Sequence, residues 1–335
     1  MKRVAAARVY IGIVTYNSAE LISICIDAIF RQSYEPITVV IMDNDSTDNI
    51  ERIVKRYGKK VTFIRSAQNL GFGGGHNKII RSMRLRGDDY YLALNPDAIL
   101  DPDSIKKLVY GARKHNADWA TGKLYKDSRT HTLYSVGHAL RRDGYAFNIG
   151  HDVRDNGQYN KSREVFGAAG AAALYKGSMV QSVSNSGNFF DPSIFMYYED
   201  VDVDWRARLL GLRCWFIAGA VVYHRGGSFP AHLEAGVLVN RFLSVIKNAF
   251  WMDLVFYNGP SIFIHIITRF ILTPKVGMQI VSQFYRKAWD GLFHRSKSRA
   301  SRRDLLVWFA RASQEGSGMP MTIVQRASAF FHRNF

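Results

Sequence analysis

The acids in the segment EDVDVDWRARL, residues 199–209, are the strongest candidates for chemistry in this chain. Apolar residues at helical spacing predict a helix from about Asp200, although the Asp-Val alternation is also compatible with a strand. On that helix two acids face arginines four residues later, which predicts the ion pairs Asp202–Arg206 and Asp204–Arg208. Glu199 and Asp200 have no such partner. Because a loop enters the helix there, we expect at least one of their carboxylates to face a crevice and accept a proton from an incoming hydroxyl.

The first hundred residues contain the elements that must position these acids. Strands are predicted at RVYIGIVTY, ITVVIMD, VTFIRS and YYLALN, with the helices SAELISICIDAIFRQ, STDNIERIVKRYG and GHNKIIRSMRLRG between them. Such alternation builds a mostly parallel sheet with helices on both faces, and ligands bind beyond the carboxyl ends of its strands. A polar loop follows each strand, so one rim of the sheet is the predicted ligand site.

Two of these rim loops carry carboxylates directly after an apolar strand. Asp43 ends the second strand, where it can accept a hydrogen bond from a nucleobase N–H. Asp97 follows the fourth strand in LNPDA, a position where Mg²⁺ is held by one carboxylate and substrate phosphates. A simple turn is the alternative for LNPDA, because Pro96 prevents the strand from continuing.

A glycine-rich loop and a histidine complete the rim. The segment NLGFGGGHNK lacks the ending of a P-loop and departs from the dinucleotide fingerprint, so it predicts either a tight turn or a loop whose backbone approaches a ligand closely. Asn69 and Asn77 flank it. His224 ends another apolar strand before two glycines. A lone histidine is more often structural, but this position suits a metal or phosphate ligand.

Taken together, the loops resemble the family 2 glycosyltransferases of the GT-A fold, and within them the rhamnosyltransferase-like group. The resemblance covers residues 8–232 and depends on the order and spacing of VTYNS, DNDSTD, NLGFGGGHN, LNPDA, FDPSIFMYYEDVDVDWR and VYHRGGS. It implies an α/β, Rossmann-like, mostly parallel sheet with a C-terminal helical region. It also implies a nucleotide-sugar donor, Mg²⁺ or Mn²⁺, and transfer with inversion at the anomeric carbon.

Residue roles are implied by matched positions in that family. Asp200 matches the catalytic base, and Glu199 is expected to orient the base or the acceptor. Asp97 matches the last acid of the D-x-D metal motif, whose first acid is Asn95 here, and His224 matches a position that contacts metal or diphosphate in some members. The donor-binding residues implied are Thr15, Tyr16, Asn17, Asp43, Asn69, Gly71, Asn77 and Asn95.

Composition places these motifs in a globular, basic chain. The 335 residues are 47% hydrophobic, and the two cysteines lie far apart, which favours a reducing cytoplasm over a disulfide framework or a zinc site.

From residue 240 onward there are fourteen Lys and Arg against four Asp and Glu. With many aromatic residues, this predicts basic amphipathic helices on an anionic membrane surface, or else an ordinary helical tail with a charged face. We expect no membrane-spanning helix, because charged residues interrupt the most apolar region.

The sequence therefore predicts a GT-A domain at residues 1–234 and a basic, amphipathic helical region at 235–335. The expected function is inverting transfer of a sugar, with dTDP-rhamnose as the favoured donor, to a saccharide or lipid-linked saccharide on the cytoplasmic face of the cell membrane. UDP-hexose and galactofuranose donors are alternatives. A non-catalytic nucleotide-sugar binding protein and a nucleic-acid-binding protein are the alternatives of another class, and the second is disfavoured because no matching motif occurs.

Overall fold

The computed structural model describes residues 6–127, 129–226 and 233–315. They form two compact units. The first combines the described residues up to His138 with those from Asn148 to 226, and the second combines Ala139–Phe147 with 233–315. The predicted domain boundary after residue 234 stays a prediction. That prediction did not include the assignment of Ala139–Phe147 to the second unit.

The elements follow one another in the order that the sequence pattern predicts for the first hundred residues. The strands are β1 (Val9–Thr15), β2 (Ile37–Asp43), β3 (Val61–Arg65), β4 (Tyr90–Leu94), β5 (Ala98–Leu100), β6 (Trp119–Tyr125), β7 (Leu133–Ser135), β8 (His138–Leu140), β9 (Ala146–Asn148), β10 (Arg163–Val165), β11 (Ala172–Lys176) and β12 (Cys214–His224). The α-helices are α1 (Ala19–Phe30), α2 (Ile50–Lys55), α3 (Gly71–Ser82), α4 (Ser104–Lys114), α5 (Gly177–Val183), α6 (Glu199–Leu209), α7 (Glu234–Asn248), α8 (Trp251–Asp253), α9 (Gly259–Leu272), α10 (Pro274–Phe293) and α11 (Arg302–Glu315). A 3₁₀ turn (Gly58–Lys60) precedes β3, and a π-helical turn (Leu254–Asn258) joins α8 to α9.

The main sheet has a parallel half and a mixed half. Its order is β10-β12-β6-β11-β4-β1-β2-β3, with β5 and β7 paired to β12 and β6. Strands β1 to β4 are mutually parallel, whereas β11 runs antiparallel to both β4 and β6. This confirms the predicted α/β, GT-A class. The four strands predicted to be parallel form one half of the sheet, in the order β4-β1-β2-β3. The carboxyl ends of these strands meet at one edge, as connections through helices require.

Buried β-branched residues hold the parallel half together. Ile11 and Ile13 of β1 and Ile41 of β2 are fully buried, and helix α3 packs against both strands. Full burial of each such side chain contributes about 1.5–3 kcal/mol to folding. The same packing fixes the strand register, in which Thr15 lies opposite Asp43 at the carboxyl rim.

The glycine-rich segment is helical, contrary to the predicted loop. Helix α3 begins at Gly71, so all four glycines lie in its first turns. A Cβ at Gly75 would lie 2.7 Å from Cγ1 of Val14, and a Cβ at Gly73 would lie 2.9 Å from Cβ of Phe190. At Gly71, where φ is +71°, it would meet the carbonyl oxygen of Phe195. The glycines therefore let the helix approach its neighbours closely, which the local pattern could not reveal.

Ion pairs to two buried carboxylates connect parts of the second unit. Asp253 accepts hydrogen bonds from Arg142 and Arg302 at 2.6 to 3.1 Å, and Asp143 pairs with Arg241 at 3.1 Å. Helix α10 packs against α7 and α9. These pairs tie the β8–β9 hairpin to the C-terminal helices within this unit.

In the part of the chain that the structure describes, one helical stretch, Trp251–Leu272, is long and apolar enough to cross a membrane by length and composition.

Candidate functional site

Two buried polar side chains occupy paired positions where β1 and β2 end. Thr15 and Asp43 are 1% and 0% exposed, and neither Oγ1 of Thr15 nor Oδ2 of Asp43 has a hydrogen-bond partner. Oδ1 of Asp43 accepts the N–H of Ser46 at 3.1 Å, and Nε of Arg65 lies 3.6 Å from Oδ2. A buried polar atom without a partner costs about 1–3 kcal/mol, so this pair is suited to a ligand that supplies the missing hydrogen bonds.

The loop after β1 is linked to the loop after β2. Asn17 adopts a left-handed φ of 50°, its N–H donates to Oγ of Ser46 at 2.9 Å, and its Oδ1 accepts the N–H of Thr47 at 2.8 Å. The preceding Tyr16 is half exposed. The predicted donor residues Thr15, Tyr16, Asn17 and Asp43 therefore form one continuous rim.

The residues predicted around the glycines have contacts of their own within the protein. Oδ1 of Asn69 accepts the N–H of Gly71 at 2.9 Å at the start of α3. Asn77 is buried, and its amide binds the backbone of Phe189 and Phe190 at 2.7 to 3.0 Å. These contacts explain why Asn69 and Asn77 occur here. Their roles, and that of Gly71, in donor binding stay predictions.

Asp97 and His224 lie side by side because β5 pairs with the end of β12. Nε2 of His224 is 3.3 Å from Oδ1 of Asp97 and 3.1 Å from Nδ2 of Asn95. Burial acts to raise the pKa of Asp97, but hydrogen bonds from His224 and the backbone at Gly226 outweigh it and keep the pKa below its ordinary value. Asp97 is therefore an ionised carboxylate beside an imidazole.

This pair fits a divalent cation that arrives with phosphates. Within residues 6–127, 129–226 and 233–315, no group of three or more His, Cys, Asp or Glu could hold a metal ion by itself. Mg²⁺ is commonly held by one or two protein ligands together with substrate phosphates, and a carboxylate beside an imidazole also suits Mn²⁺. Nε2 of His224 is the ring nitrogen that faces Asp97, and Nδ1 is buried without a hydrogen-bond partner.

Asp200 is held by the first turn of α6 and by a neighbouring loop. Its Oδ2 accepts the N–H of Gly170 at 2.8 Å, and its Oδ1 accepts the N–H of Val201 at 2.8 Å. The two residues before the helix, Tyr197 and Tyr198, have φ values of 65° and 73°. Such left-handed conformations are costly for a tyrosine and occur where a site demands them.

Glu199 differs from its neighbour in environment. It is buried, its Oε2 has no hydrogen-bond partner, and burial together with the charge of Asp200 raises its pKa to about 8. At pH 7 Glu199 is therefore mostly a neutral acid that can donate a hydrogen bond. Adjacent residues thus supply different chemical functions, as expected when two carboxyl groups share a site.

Tyr134 lies near both the Asp97–His224 pair and Asp200. The ring of Tyr134 lies 4.5 Å from the ring of His224. Burial, together with the negative charges of Asp200 and Asp97, raises the pKa of Tyr134 to about 12. The backbone gives a second link, because the N–H of Asn95 donates to Ala171 while the adjacent Gly170 binds Asp200. The charges of Asp97 and Asp200 therefore both act on one tyrosine.

The helix carrying these acids confirms one predicted ion pair and replaces the other. Nε of Arg206 donates to Asp202 at 2.8 Å, as predicted. Asp204 instead lies 2.8 Å from Nδ1 of His138, and Arg208 donates to Glu164 at 2.8 Å. The rest of the protein therefore determines the partner of Asp204.

His138 is the site residue that the sequence pattern does not indicate. It begins β8 in a segment without an obvious motif, and its Nε2 lies 3.7 Å from Oδ2 of Asp200. Asp200 is 62 positions further along the chain. Spacing alone could not have linked them.

Comparisons with known proteins identify the family of this chain. Residues 10–184 match the family model described as glycosyl transferase family 2. The chain is 27% identical over 247 residues to the N-acetylglucosaminyl-diphospho-decaprenol L-rhamnosyltransferase of Mycobacterium tuberculosis, covering 66% of this chain and 79% of that protein. It is 29% identical over 131 residues to an uncharacterised glycosyltransferase of Rickettsia typhi, covering 38% of this chain and 40% of that protein.

Solved structures share the fold at low sequence identity. GalNAc-T7 with UDP, GalNAc and Mn²⁺ has a TM-score of 0.60 at 12% identity, covering 86% of this chain and 58% of that chain. The mannosyltransferase PcManGT from Pyrobaculum calidifontis with GDP-Man and Mn²⁺ has a TM-score of 0.52 at 15% identity, covering 97% and 87%. This chain thus spans less than two thirds of the GalNAc-T7 chain. At these identities the likeness concerns the fold.

Proposed function

Because the chain belongs to glycosyl transferase family 2, we propose that it is an inverting, metal-dependent hexosyltransferase that uses a nucleotide-sugar donor. The observation that carries the proposal is the placement of Asp200. Its carboxylate is fixed at a helix start, and its charge acts on Tyr134, whose ring lies 4.5 Å from that of His224, the partner of Asp97. Inverting transfer needs a base for the acceptor and a group that stabilises the departing diphosphate, and we assign these roles to Asp200 and to the Asp97–His224 pair.

The residues of the rim would bind the nucleoside end of the donor. Oδ2 of Asp43 can accept a nucleobase N–H, and Oγ1 of Thr15 can donate or accept beside it, since both atoms lack partners within the protein. Asn17 and Tyr16 border the same pocket edge. The ligand would thereby satisfy two buried polar atoms, which gives the rim its preference for a nucleoside.

Asp97 and His224 would hold Mg²⁺ or Mn²⁺ together with the diphosphate of the donor. When bound, the cation would stabilise the negative charge that develops on the departing diphosphate. Asn95 lies against His224 and would orient its ring. The solved structures of GalNAc-T7 and PcManGT, which share the fold, contain Mn²⁺, and this supports the proposal of a divalent cation for this chain.

Asp200 would act as the general base. As the acceptor oxygen attacks the anomeric carbon, its proton passes to the carboxylate of Asp200, and the bond between sugar and diphosphate breaks on the opposite face. One carboxylate is enough for such a single displacement. Glu199, as a neutral acid, would donate a hydrogen bond that orients the acceptor or the base.

The favoured donor is dTDP-rhamnose, and the favoured acceptor is a saccharide or a lipid-linked saccharide of cell-surface polysaccharide synthesis. The support is the rhamnosyltransferase relative, whose name states a decaprenol-linked acceptor. UDP-hexose and galactofuranose donors remain alternatives. Transfer assays with a panel of nucleotide sugars, each with Mg²⁺, Mn²⁺ or a chelator, would identify the donor and the metal requirement.

The decisive variant is Asp200→Asn. We expect it to lower sugar transfer at least about 1,000-fold while the nucleoside diphosphate still binds with near wild-type affinity, because the general base is lost and the rim is intact. Asp88→Asn, an exposed carboxylate away from the site, is the matched control and should keep full activity. Full activity of Asp200→Asn would refute the base assignment. Nucleotide-sugar binding without transfer by the wild-type protein would favour the non-catalytic alternative.

Membrane association would bring such an enzyme to a lipid-linked acceptor. The helical stretch Trp251–Leu272 buries one side, including Asp253, and exposes large apolar side chains on the other: Met252, Val255, Phe256, Phe263, Ile267, Phe270, Ile271 and Leu272. Because Asp253 is bound to Arg142 and Arg302 within its unit, we place this helix along the membrane surface and not across it. The basic C-terminal region would favour anionic lipids on the cytoplasmic face, with nucleic acid not expected as a partner.

A further inference from the structure

A buried histidine lies between two aspartates of helix α6. The side chain of His138 is 7% exposed, and both ring nitrogens face carboxylates. Nδ1 lies 2.8 Å from Oδ2 of Asp204, within hydrogen-bond distance, and Nε2 lies 3.7 Å from Oδ2 of Asp200, within ion-pair distance. An imidazole that faces carboxylate oxygens on both sides is best satisfied when both nitrogens carry protons.

Groups other than His138 also hold the carboxylate of Asp204 in place. Its Oδ1 accepts Nε1–H of Trp119 at 2.9 Å, and the backbone N–H of Ala168 lies 3.2 Å from both oxygens. At Gly167 a Cβ would lie 1.8 Å from Oδ2 of Asp204, so only glycine leaves room for this carboxylate. Trp119 and Ala168 both donate N–H groups to Asp204, which favours the ionised form of this carboxylate.

Charges on the surrounding elements agree with a cationic ring. Burial acts to lower the pKa of His138, but the carboxylates of Asp200 and Asp204 outweigh it and raise the pKa above 6.5. Burial raises the pKa of Asp204 to about 6, so Asp204 is ionised at pH 7. The other titratable or charged groups that interact with this cluster are Glu199 and Arg208 on α6, Tyr175 on β11, Cys214 on β12 and Tyr134 on β7.

We propose that His138 is a positioning residue for the base: an imidazolium, anchored by Asp204, that places a positive charge beside the carboxylate of Asp200 and aims it at the acceptor. The proposal rests on the proposed function of Asp200. His138 keeps its proton throughout the reaction, and the acceptor proton goes to Asp200. The N–H of Gly170 and the ring of His138 both approach Oδ2, so this oxygen is held from two directions.

The first test is the pH profile of kcat/KM for His138→Gln, which removes the positive charge beside Asp200. Because a neighbouring cation favours a carboxylate anion, we expect the acid limb of the profile to move up by about one to two pH units. Transfer at pH 6 should fall more than transfer at pH 8, while nucleoside diphosphate affinity stays near that of the wild type. His115→Gln, a histidine stacked on Trp215, is the matched control and should leave the profile in place. An equal loss at every pH would show a purely structural role and overturn the proposal.

A second measurement decides the charge of His138 without any transfer assay. In the full-length protein, NMR titration of the His138 ring should give a midpoint above 6.5, and Asp204→Asn should lower that midpoint. A wild-type midpoint at or below 6.5 would overturn the proposal, even if the protein transfers sugar normally. If no donor supports transfer, the proposed function fails, while this titration still shows whether His138 is an imidazolium at neutral pH.

Discussion

At the scale of single residues, the site shows how two adjacent carboxyl groups acquire different properties. Asp200 accepts two backbone N–H groups at 2.8 Å, whereas Oε2 of Glu199 is buried without a hydrogen-bond partner. Hydrogen bonds to the ionised form favour it, and burial disfavours it. The neighbours therefore differ in environment, because Asp200 accepts N–H groups whereas burial raises the pKa of Glu199 to about 8.

This difference predicts that stability depends on pH through Glu199. Its pKa is raised to about 8 in the folded protein from 4.5, so the stability it contributes is present below pH 4.5 and is lost as the pH rises toward 8. Glu199→Gln cannot ionise and avoids this loss. We expect its free energy of unfolding, relative to the wild type, to increase by on the order of 3 kcal/mol between pH 4.5 and 8. Denaturant unfolding at several pH values measures this, and parallel curves would show that Glu199 is ionised at neutral pH.

At the scale of elements, helix α3 depends on its glycines for packing. The helix lies so close to β1 that the Cα of Gly75 has room for a hydrogen but not for a methyl group, because Val14 fills the space. The helix is also fixed at its start, where the N–H of Phe72 donates to Phe195, two positions before the first of the two left-handed residues that lead into α6. The glycine helix therefore supports the segment that carries the base.

Gly75→Ala should destabilise the protein although alanine is the better helix former. The new methyl group would overlap Cγ1 and Cγ2 of Val14 at 2.7 and 2.8 Å, at a cost of about 1–3 kcal/mol. Gly236→Ala in α7 is the matched control: its Cβ meets nothing within 4 Å, so stability should rise by up to about 1 kcal/mol. Thermal unfolding of both variants measures the two effects. A Gly75→Ala protein as stable as the wild type would show that α3 can move away from β1.

At the scale of the whole molecule, the two units have different surfaces. In the first, the described strands are largely buried, and its exposed large apolar residues are scattered along the chain. In the second, exposed apolar side chains continue from Trp251 through Phe293 along α8, α9 and α10. An apolar surface of this extent on a basic region is typical of proteins that rest on anionic lipid.

Membrane association can be tested with three exposed phenylalanines. Replacing Phe256, Phe263 and Phe270 with serine should lower binding to anionic liposomes at least about tenfold, because each removes a large apolar side chain from the lipid-facing side. The control is Tyr110→Ser, an equally exposed aromatic residue of α4 in the first unit. Sedimentation with vesicles that contain phosphatidylglycerol provides the readout. Unchanged sedimentation of the triple variant would refute this contact surface, and binding to oligonucleotides instead would favour the nucleic-acid alternative.

Local patterns were sufficient for the order of elements and for most of the rim. The strand pattern places Thr15 and Asp43 at strand ends, and parallel strands must bring those ends together. The helix start predicted near Asp200 lies at Glu199, and the predicted ion pair between Asp202 and Arg206 also follows from helical spacing. These features depend on neighbours within a few positions, so the chain itself carries the information.

Only the tertiary structure determined the partners that come from distant parts of the chain. His138 reaches Asp200 and Asp204 because a loop and a strand meet beside α6. The first turns of α3 consist largely of glycines because Val14 and Phe190 leave no room there for side chains. Asp204 pairs with His138 and not with Arg208, since burial beside Trp119 turns its carboxylate inward. Periodicity describes what one element exposes, whereas these contacts depend on how several elements fill the same space.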